Sequence, residues 1–259
     1  MTDALYVMAP VFNETENLPR LFDAFREIAT DHGERFAVSF VLVDDGSTDG
    51  TAALARELAV GVELTVLEHG VNRGPGSAFA TAFEHLASRI GPGDSIVTME
   101  GDNTSRHDLL RLMLRRADEG HDAVFASPYM YGGGILHTTP VRMFLSHVAN
   151  LFVKELLGVH GLLTVSSFYR LYRGACLQRL QAAYGVRIVE RRGYESMVEM
   201  VLKMTYLRLS VSEVPMVLDT KRRAGKSKLK IRRTALGYLA LFRGKRRWQR
   251  QASAAAASD

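Results

Sequence analysis

The chain has 259 residues, 47% hydrophobic and 24% charged, a globular composition that excludes a collagen-like or wholly disordered protein. Its single cysteine, Cys176, excludes an internal disulfide and favours a reducing compartment. The net charge of +5 is unevenly distributed, because Lys221 to Arg250 contains thirteen Lys or Arg and no acid, whereas the first 220 residues hold 27 acidic and 20 basic residues. The basic block suggests an anionic partner.

Apolar segments predict four strands in the first hundred residues, at 4–11, 36–43, 62–68 and 95–99. Amphipathic segments between and after them predict helices at 15–30, 49–60 and 74–90. Strands that alternate with helices predict an α/β fold with a mostly parallel central sheet and helices on both faces. Beyond residue 125 the pattern is looser and predicts helices near 140–157 and 194–204 and strands near 167–172 and 209–217.

Polar turns follow two of these strands. Asp44 and Asp45 begin the first turn, where two carboxylates could bind a nucleobase or ribose. Glu100 and Asp102 flank Gly101 in the second turn, where hard oxygens suit Mg²⁺ or Mn²⁺. Each turn alone is also typical of a helix cap. Since open α/β sheets bind ligands at the carboxyl ends of their strands, both are candidate site residues.

Two further segments could bind phosphate. Asn72 to Ala78 places glycines at the start of a helix, where the backbone can approach an anion. Arg222 to Lys228 surrounds a glycine with basic residues, although a solvated basic loop has the same composition. Residues 229–250 predict a basic amphipathic helix that either lies on an anionic membrane or packs on the domain, and 251–259 predict a disordered tail.

In this order the motifs resemble those of family 2 glycosyltransferases, which have the Rossmann-like GT-A fold. The resemblance runs from about residue 5 to 242 and is strongest to the polyprenyl-phosphate glycosyltransferases, the branch that includes dolichol-phosphate mannose synthase. The motifs that carry it are P-V-F-N-E at 10–14, V-D-D-G-S-T-D-G-T at 43–51, N-R-G-P-G-S-A at 72–78, E-G-D at 100–102, E-V-P at 213–215 and R-R-A-G-K-S-K at 222–228. It implies a glycosyltransferase domain at 1–228, followed by the helix at 229–250.

The resemblance also implies roles for single residues. A nucleotide-sugar donor would be held by Pro10, Phe12, Glu14, Asp44, Asp45, Asn72, Gly76 and Gly101. A Mg²⁺ or Mn²⁺ ion would be bound by Glu100 and Asp102, and catalysis would involve Asp102, Arg222 and Lys228. Groups that contact the acceptor, or act as a base for a hydroxyl acceptor, are expected among Arg142, Ser146, Ser166, Arg170, Glu195 and Glu199.

Three departures from the family pattern bear on the sugar and the acceptor. Glu100 replaces the first aspartate of the acidic motif. Pro128 stands where the family has a phosphate-binding arginine. The segment 163–170 lacks the family's aspartate, and Arg170 is shifted by one residue. These departures leave the predicted fold unchanged.

The favoured function is inverting transfer of a sugar, with GDP-mannose the favoured donor, to a polyprenyl or dolichyl phosphate. One alternative is a soluble family 2 glycosyltransferase that acts on a small hydroxylated natural product. Another is a non-catalytic module that binds a nucleotide sugar or a nucleic acid, although no interleaved aromatic residues favour nucleic acid. We expect neither a signal peptide nor a membrane-spanning helix, and hence a cytoplasmic protein that could contact a membrane peripherally through 229–250.

Overall fold

The computed structural model describes residues 2–104, 106–138, 150–151, 154–222 and 231–257, and for 231–236 the backbone alone. The described residues contain nine strands, at Ala4–Val11 (β1), Ala37–Asp44 (β2), Leu64–Glu68 (β3), Ser95–Thr98 (β4), Ala123–Ser127 (β5), Gly134–Leu136 (β6), Arg170–Arg173 (β7), Val211–Pro215 (β8) and Val217–Asp219 (β9). The α-helices are Leu18–His32 (α1), Thr51–Leu58 (α2), Pro75–Leu86 (α3), Leu110–Asp118 (α4), Gly174–Tyr184 (α5), Ser196–Tyr206 (α6) and Ile231–Ala256 (α7). Short 3₁₀ helices occur at His107–Leu109 and Thr220–Arg222.

Seven strands form one sheet in the order β3-β2-β1-β4-β7-β5-β8. All neighbours are parallel except β7, which is antiparallel to both β4 and β5. The remaining strands, β6 and β9, form a separate parallel pair. The predicted α/β class with a mostly parallel sheet is therefore confirmed.

Alternation along the strands builds a core on each face of the sheet. In β1, Val7 packs on one side with α1, α2 and α4, and Met8 packs on the other with α3, α5, α6 and α7. In α1, Phe22 and Phe25 belong to the buried face, which matches the predicted periodicity. Apolar strand residues thus bury both faces, as a sheet between two helical layers requires.

The predicted elements agree with the structure to within a few residues where they can be compared. The segment 209–217 forms two strands, β8 and β9, separated by Met216. Of the helix predicted near 140–157, residues 150–151 and 154–157 are helical, whereas 140–149 lie outside the described residues. No helix in the described part of the chain is both long and apolar enough to cross a membrane.

The prediction of a disordered tail at 251–259 is wrong for its first six residues. Helix α7 continues to Ala256, and Ala252 is buried one turn after the fully buried Trp248. Alanine is the strongest helix former, so the Ala-rich sequence extends the helix once this face is packed. The same face buries Leu241 against the protein, so α7 packs on the domain along one side.

Ala252→Asp should destabilise the protein, because its carboxylate would be buried without a partner. We expect a loss of about 2 kcal/mol in the free energy of unfolding by urea. The matched control is Ser253→Asp on the exposed side, which should change stability by less than about 0.5 kcal/mol. Equal effects of the two substitutions would contradict the packed end of α7.

Candidate active site

The carboxyl ends of β1, β2 and β4 lie side by side because these three strands are parallel neighbours in the sheet. Val11 at the end of β1 pairs with Asp44 at the end of β2, and Met8 pairs with Thr98 in β4. The predicted metal residues follow β4, and the predicted donor residues other than Asn72 and Gly76 lie at or just after the ends of these three strands. The topology therefore brings the first and second polar turns to one edge of the sheet.

Backbone and side-chain hydrogen bonds join the turn after β1 to the turn after β2. The N–H of Asn13 donates to Ser47 Oγ at 2.8 Å, and the N–H of Thr48 donates to Asn13 Oδ1 at 2.9 Å. Ser47 in turn donates its N–H at 2.9 Å, and its hydroxyl, to Asp44 Oδ1. Asn13 has a positive φ of 50°, which asparagine tolerates better than most residues. Asn13, which lies between the half-buried Phe12 and Glu14, thus has a bridging role that was not predicted from the sequence.

Asp45 binds protein groups in the structure. Its Oδ1 accepts the N–H of Arg73 at 2.9 Å, and its Oδ2 accepts the N–H of Gly74 at 2.7 Å. His69 Nδ1 lies 2.7 Å from the same Oδ1, and His69 Nε2 lies 2.9 Å from Thr81 Oγ1. Only 3% of Asp45 is exposed. Its carboxylate therefore holds the loop before α3, and the expected direct contact of Asp45 with the nucleotide stays a prediction.

The predicted phosphate-binding glycine Gly76 packs against the protein's own backbone. Its N–H donates to the carbonyl of Arg192 at 2.8 Å, and a Cβ at this position would lie 2.2 Å from the carbonyl oxygen of Arg191. Gly74 has a positive φ of 97° and meets the same carbonyl of Arg192. The prediction that Gly76 binds the donor is wrong for this reason, whereas Asn72, at the start of the loop, is exposed.

The acidic turn after β4 places Glu100 and Asp102 on either side of a buried glycine. A Cβ on Gly101 would lie 2.7 Å from the carbonyl oxygen of Pro10, so Gly101 serves close packing on β1, and its predicted ligand contact stays a prediction. Asp102 Oδ1 accepts the N–H of Thr104 at 3.1 Å and its hydroxyl at 2.6 Å, which orients the carboxylate. Glu100 and Asp102 are each half-buried.

The carboxylates of Glu100 and Asp102 suit a divalent cation that also binds oxygens of a ligand. In the described part of the chain, no cluster of three or more Asp, Glu, His or Cys residues is arranged to hold a metal. Glu100 and Asp102 alone would therefore leave positions for oxygens of a ligand. This donor set suits Mg²⁺ or Mn²⁺, which are bound through one or two carboxylates together with phosphates.

The segment that carries Arg222 is held to β6 beside an open cavity. His137 Nδ1 lies 2.6 Å from Asp219 Oδ1, and the hydroxyl of Thr220 donates to the carbonyl of His137 at 2.9 Å. The hydrogen bond from His137 lowers the pKa of Asp219. Arg222 lines the cavity together with Arg106, which follows the acidic turn. The predicted role of Arg222 at the phosphates stays a prediction, and Lys228 lies outside the described residues.

Two predicted acceptor-side residues are structural. Arg170 is fully buried and donates to the carbonyls of Ser167, Val165 and Met197 at 2.7, 2.8 and 2.9 Å. Its guanidinium lies 4.2 Å from the centre of the Phe125 ring. It therefore supports the segment before β7, and the expected acceptor contact is wrong.

Glu199 is likewise fully buried, on α6. Burial raises its pKa, against the opposing effect of Lys203, whose Nζ lies 2.8 Å from Glu199 Oε1. Its carboxylate also accepts the backbone N–H groups of Glu190 and Arg191. A carboxylate enclosed in this way cannot reach an acceptor, so the expectation of Glu199 as a base is wrong.

The remaining acceptor-side predictions are placed as follows. Glu195 is half-buried beneath α7, where a Cβ on Gly237 would lie 2.5 Å from its Oε2. Ser166 is exposed, on the segment whose start is held by Glu213, which accepts two backbone N–H groups at 2.6 and 2.8 Å. Arg142 and Ser146 lie outside the described residues. The predicted roles of Glu195 and Ser166 at the acceptor thus stay predictions.

Residues 6–180 match the family described as Glycosyl transferase family 2. The chain belongs to this family. A curated relative, polyprenol monophosphomannose synthase of Mycolicibacterium smegmatis, is 32% identical over 231 residues, which cover 88% of this chain and 82% of the relative. The predicted resemblance to family 2 glycosyltransferases of the polyprenyl-phosphate branch is confirmed.

Solved structures show that this family 2 glycosyltransferase has the GT-A fold. Glucosyl-3-phosphoglycerate synthase from Mycobacterium tuberculosis, in complex with Mn²⁺ and UDP, matches with a TM-score of 0.58 at 16% identity over 91% of this chain and 76% of that one. A mannosyltransferase from Pyrobaculum calidifontis, in complex with GDP-Man and Mn²⁺, matches with a TM-score of 0.52 at 18% identity over 100% and 75%.

Gly76→Ala should destabilise the enzyme even without a ligand, because its methyl group would meet the carbonyl of Arg191. We expect a loss of about 1–3 kcal/mol in unfolding by urea, although alanine would otherwise favour a helix. Gly70→Ala is the control, since a Cβ there meets nothing within 4 Å. If Gly76→Ala left stability unchanged and weakened only nucleotide binding, Gly76 would be a ligand contact after all.

Proposed function

We propose that this enzyme transfers a mannosyl residue from GDP-mannose to a polyprenyl phosphate with inversion at the anomeric carbon. The observation that supports the proposal most is the polyprenol monophosphomannose synthase, which is 32% identical over most of both chains. The carboxylates gathered at the ends of β2 and β4 support the donor side of the proposal.

The donor would lie along the edge formed by the ends of β1, β2 and β4. Phe12 is half-buried there and offers a ring to the nucleobase, next to Asp44 at the end of the neighbouring strand. Glu14, which is half-buried, and Asn72, which is exposed, would flank this position, and Pro10 is the residue before the last of β1. In this proposal these residues contact the nucleotide, Asp45 and Gly101 shape the turns around it, and Gly76 serves packing.

Glu100 and Asp102 would hold a Mg²⁺ or Mn²⁺ ion against the donor diphosphate. Mn²⁺ accompanies the nucleotide in the two solved structures above, and the pair of hard oxygen ligands fits either ion. When bound, the ion neutralises charge on the departing diphosphate. Thr104 holds Asp102 by two hydrogen bonds, so that this carboxylate is oriented before the donor binds.

The chemistry needs one bond to form and one to break. A phosphate oxygen of the acceptor forms a bond with C1 of mannose as the bond from C1 to the diphosphate oxygen breaks, and the electron pair leaves with GDP. The acceptor oxygen is anionic near neutral pH, so no protein base is required, unlike with an alcohol acceptor. Arg222, with the basic segment that follows it, would stabilise the phosphates.

The outer face of α7 supports contact with an anionic membrane, where a polyprenyl phosphate resides. Its exposed side carries two large apolar residues, Leu239 and Phe242, followed by three arginines at one-turn spacing, Arg243, Arg246 and Arg250. The opposite side is packed on the domain, so the helix would lie flat on the surface. Basic residues near an anionic leaflet each contribute about 1 kcal/mol before screening.

Asp102→Asn should abolish most transfer without unfolding the protein. We expect mannose transfer from radiolabelled GDP-mannose into the organic phase to fall about 100-fold or more at saturating Mn²⁺, because a ligand of the ion loses its charge. The control is Asp118→Asn, since Asp118 forms an exposed ion pair with Arg35 at the end of α4. Near-normal transfer by Asp102→Asn would contradict the metal assignment.

Removing the basic and apolar residues from the outer face of α7 should release the enzyme from vesicles. A variant with Leu239→Ser, Phe242→Ser and Arg246→Gln should lose most co-sedimentation with phosphatidylglycerol vesicles, while the unchanged protein binds them and leaves phosphatidylcholine vesicles unbound. The control is Val60→Ser with Val71→Ser, two exposed apolar residues elsewhere. Equal sedimentation of both variants would place the membrane contact outside α7.

A further inference from the structure

A buried lysine organises the segment between α5 and α6. Lys203, on α6, is fully buried, and its Nζ donates to the carbonyl of Ile188 at 2.7 Å. The same Nζ also donates to Glu199 Oε1 at 2.8 Å and to Glu190 Oε1 at 3.3 Å. A buried ammonium is tolerated only where such oxygens surround it. The segment that supplies them is therefore held in one arrangement.

Helix α7 completes this cluster. Trp248 is fully buried, and its Nε1–H donates to Glu190 Oε1 at 3.0 Å, while Arg247 forms an ion pair with Glu190 Oε2. Lys203 Nζ lies 5.1 Å from the centre of the Trp248 ring. Burial opposes ionisation of Glu190, but the hydrogen bond from Trp248 and the two nearby cations outweigh it and lower its pKa. The C-terminal helix thus supplies a donor and a cation to the half-buried carboxylate of Glu190.

The same cluster reaches the loop before α3. Glu199 accepts the backbone N–H groups of Glu190 at 3.0 Å and of Arg191 at 2.8 Å. The next residue, Arg192, accepts the N–H of Gly76 through its carbonyl. Contacts therefore run without a gap from Trp248 through this backbone to the start of α3.

We propose that Trp248, Glu190 and Lys203 are positioning residues of the donor site. They hold the backbone of 190–193 against the start of α3 and thereby fix the loop that Asp45 binds. The C-terminal helix is then part of the catalytic domain as well as a surface for membranes. The proposal deepens the proposed function and rests on the assignment of this edge of the sheet to the nucleotide.

Hydrogen exchange tests the physical link without any assay of activity. Trp248→Phe keeps an aromatic ring and removes the N–H, and Glu190→Gln keeps the shape and removes the charge. Each should speed amide exchange in peptides covering 72–78 about three- to tenfold. A change of this size is typical of substitutions along a packed network of side chains. Gln249→Ala, an exposed neighbour on α7, is the control. Faster exchange confined to α7 and 186–195 would overturn the proposal.

Calorimetric measurement of GDP binding in the presence of Mn²⁺ tests whether the cluster affects the donor site. Trp248→Phe should raise the dissociation constant of GDP about three- to tenfold and leave the stoichiometry unchanged. A loss of folded protein would instead lower the stoichiometry and leave the dissociation constant unchanged. An unchanged constant would overturn the proposal. If the unaltered enzyme failed to bind GDP, the donor assignment itself would be contradicted, and the exchange data would still report whether α7 holds the loop.

Discussion

The carboxylate of Asp45 connects the parts of this glycosyltransferase that must meet for a donor to bind. It stands at the carboxyl end of β2 and accepts the two backbone N–H groups that end the loop before α3. His69, at the end of β3, closes the arrangement from the other side. A buried carboxylate is costly unless its oxygens are satisfied, so these contacts fix the loop relative to the sheet.

From this point the site extends along the parallel strands in two directions. Toward β1, Asn13 ties two turns together, because its N–H donates to Ser47 and its side-chain oxygen accepts the N–H of Thr48. Toward β4, Gly101 permits the acidic turn that carries Glu100 and Asp102 to pack closely against β1. Polar groups of these turns bind one another. A ligand therefore meets a site whose geometry is already set, which reduces the entropy lost on binding.

The fold and the location of the site could be predicted from the sequence because both depend on local pattern. Alternating strands and helices indicate a parallel sheet, and polar turns at strand ends indicate where a ligand lies. Individual roles were harder to predict, because a glycine required for close approach looks the same whether it approaches a phosphate or the carbonyl of Arg192. In the same way, arginine and glutamate often serve catalysis, but Arg170 and Glu199 are buried by contacts between distant parts of the chain, which their local sequence does not show.

The contact of His69 with Asp45 could have been predicted from the sequence, because His69 is a polar residue at the carboxyl end of the strand next to β2. The position of α7 was harder to predict from the sequence, because an amphipathic basic helix packs equally well on a membrane or on a protein. The packing of α7 on the domain depends on the buried Trp248 and its partner Glu190, which are 58 residues apart in sequence. Such a pairing cannot be predicted from periodicity in one segment.

The stereochemistry of the product tests the central claim most directly. GDP-mannose carries its sugar in the α configuration, and a single displacement at C1 by a phosphate oxygen inverts it. The account predicts that the enzyme, given GDP-mannose, Mn²⁺ and a short polyprenyl phosphate, forms a β-mannosyl phosphate, as read from the one-bond carbon–hydrogen coupling at C1. An α-linked product, or no lipid-linked mannose while GDP-mannose binds normally, would contradict it.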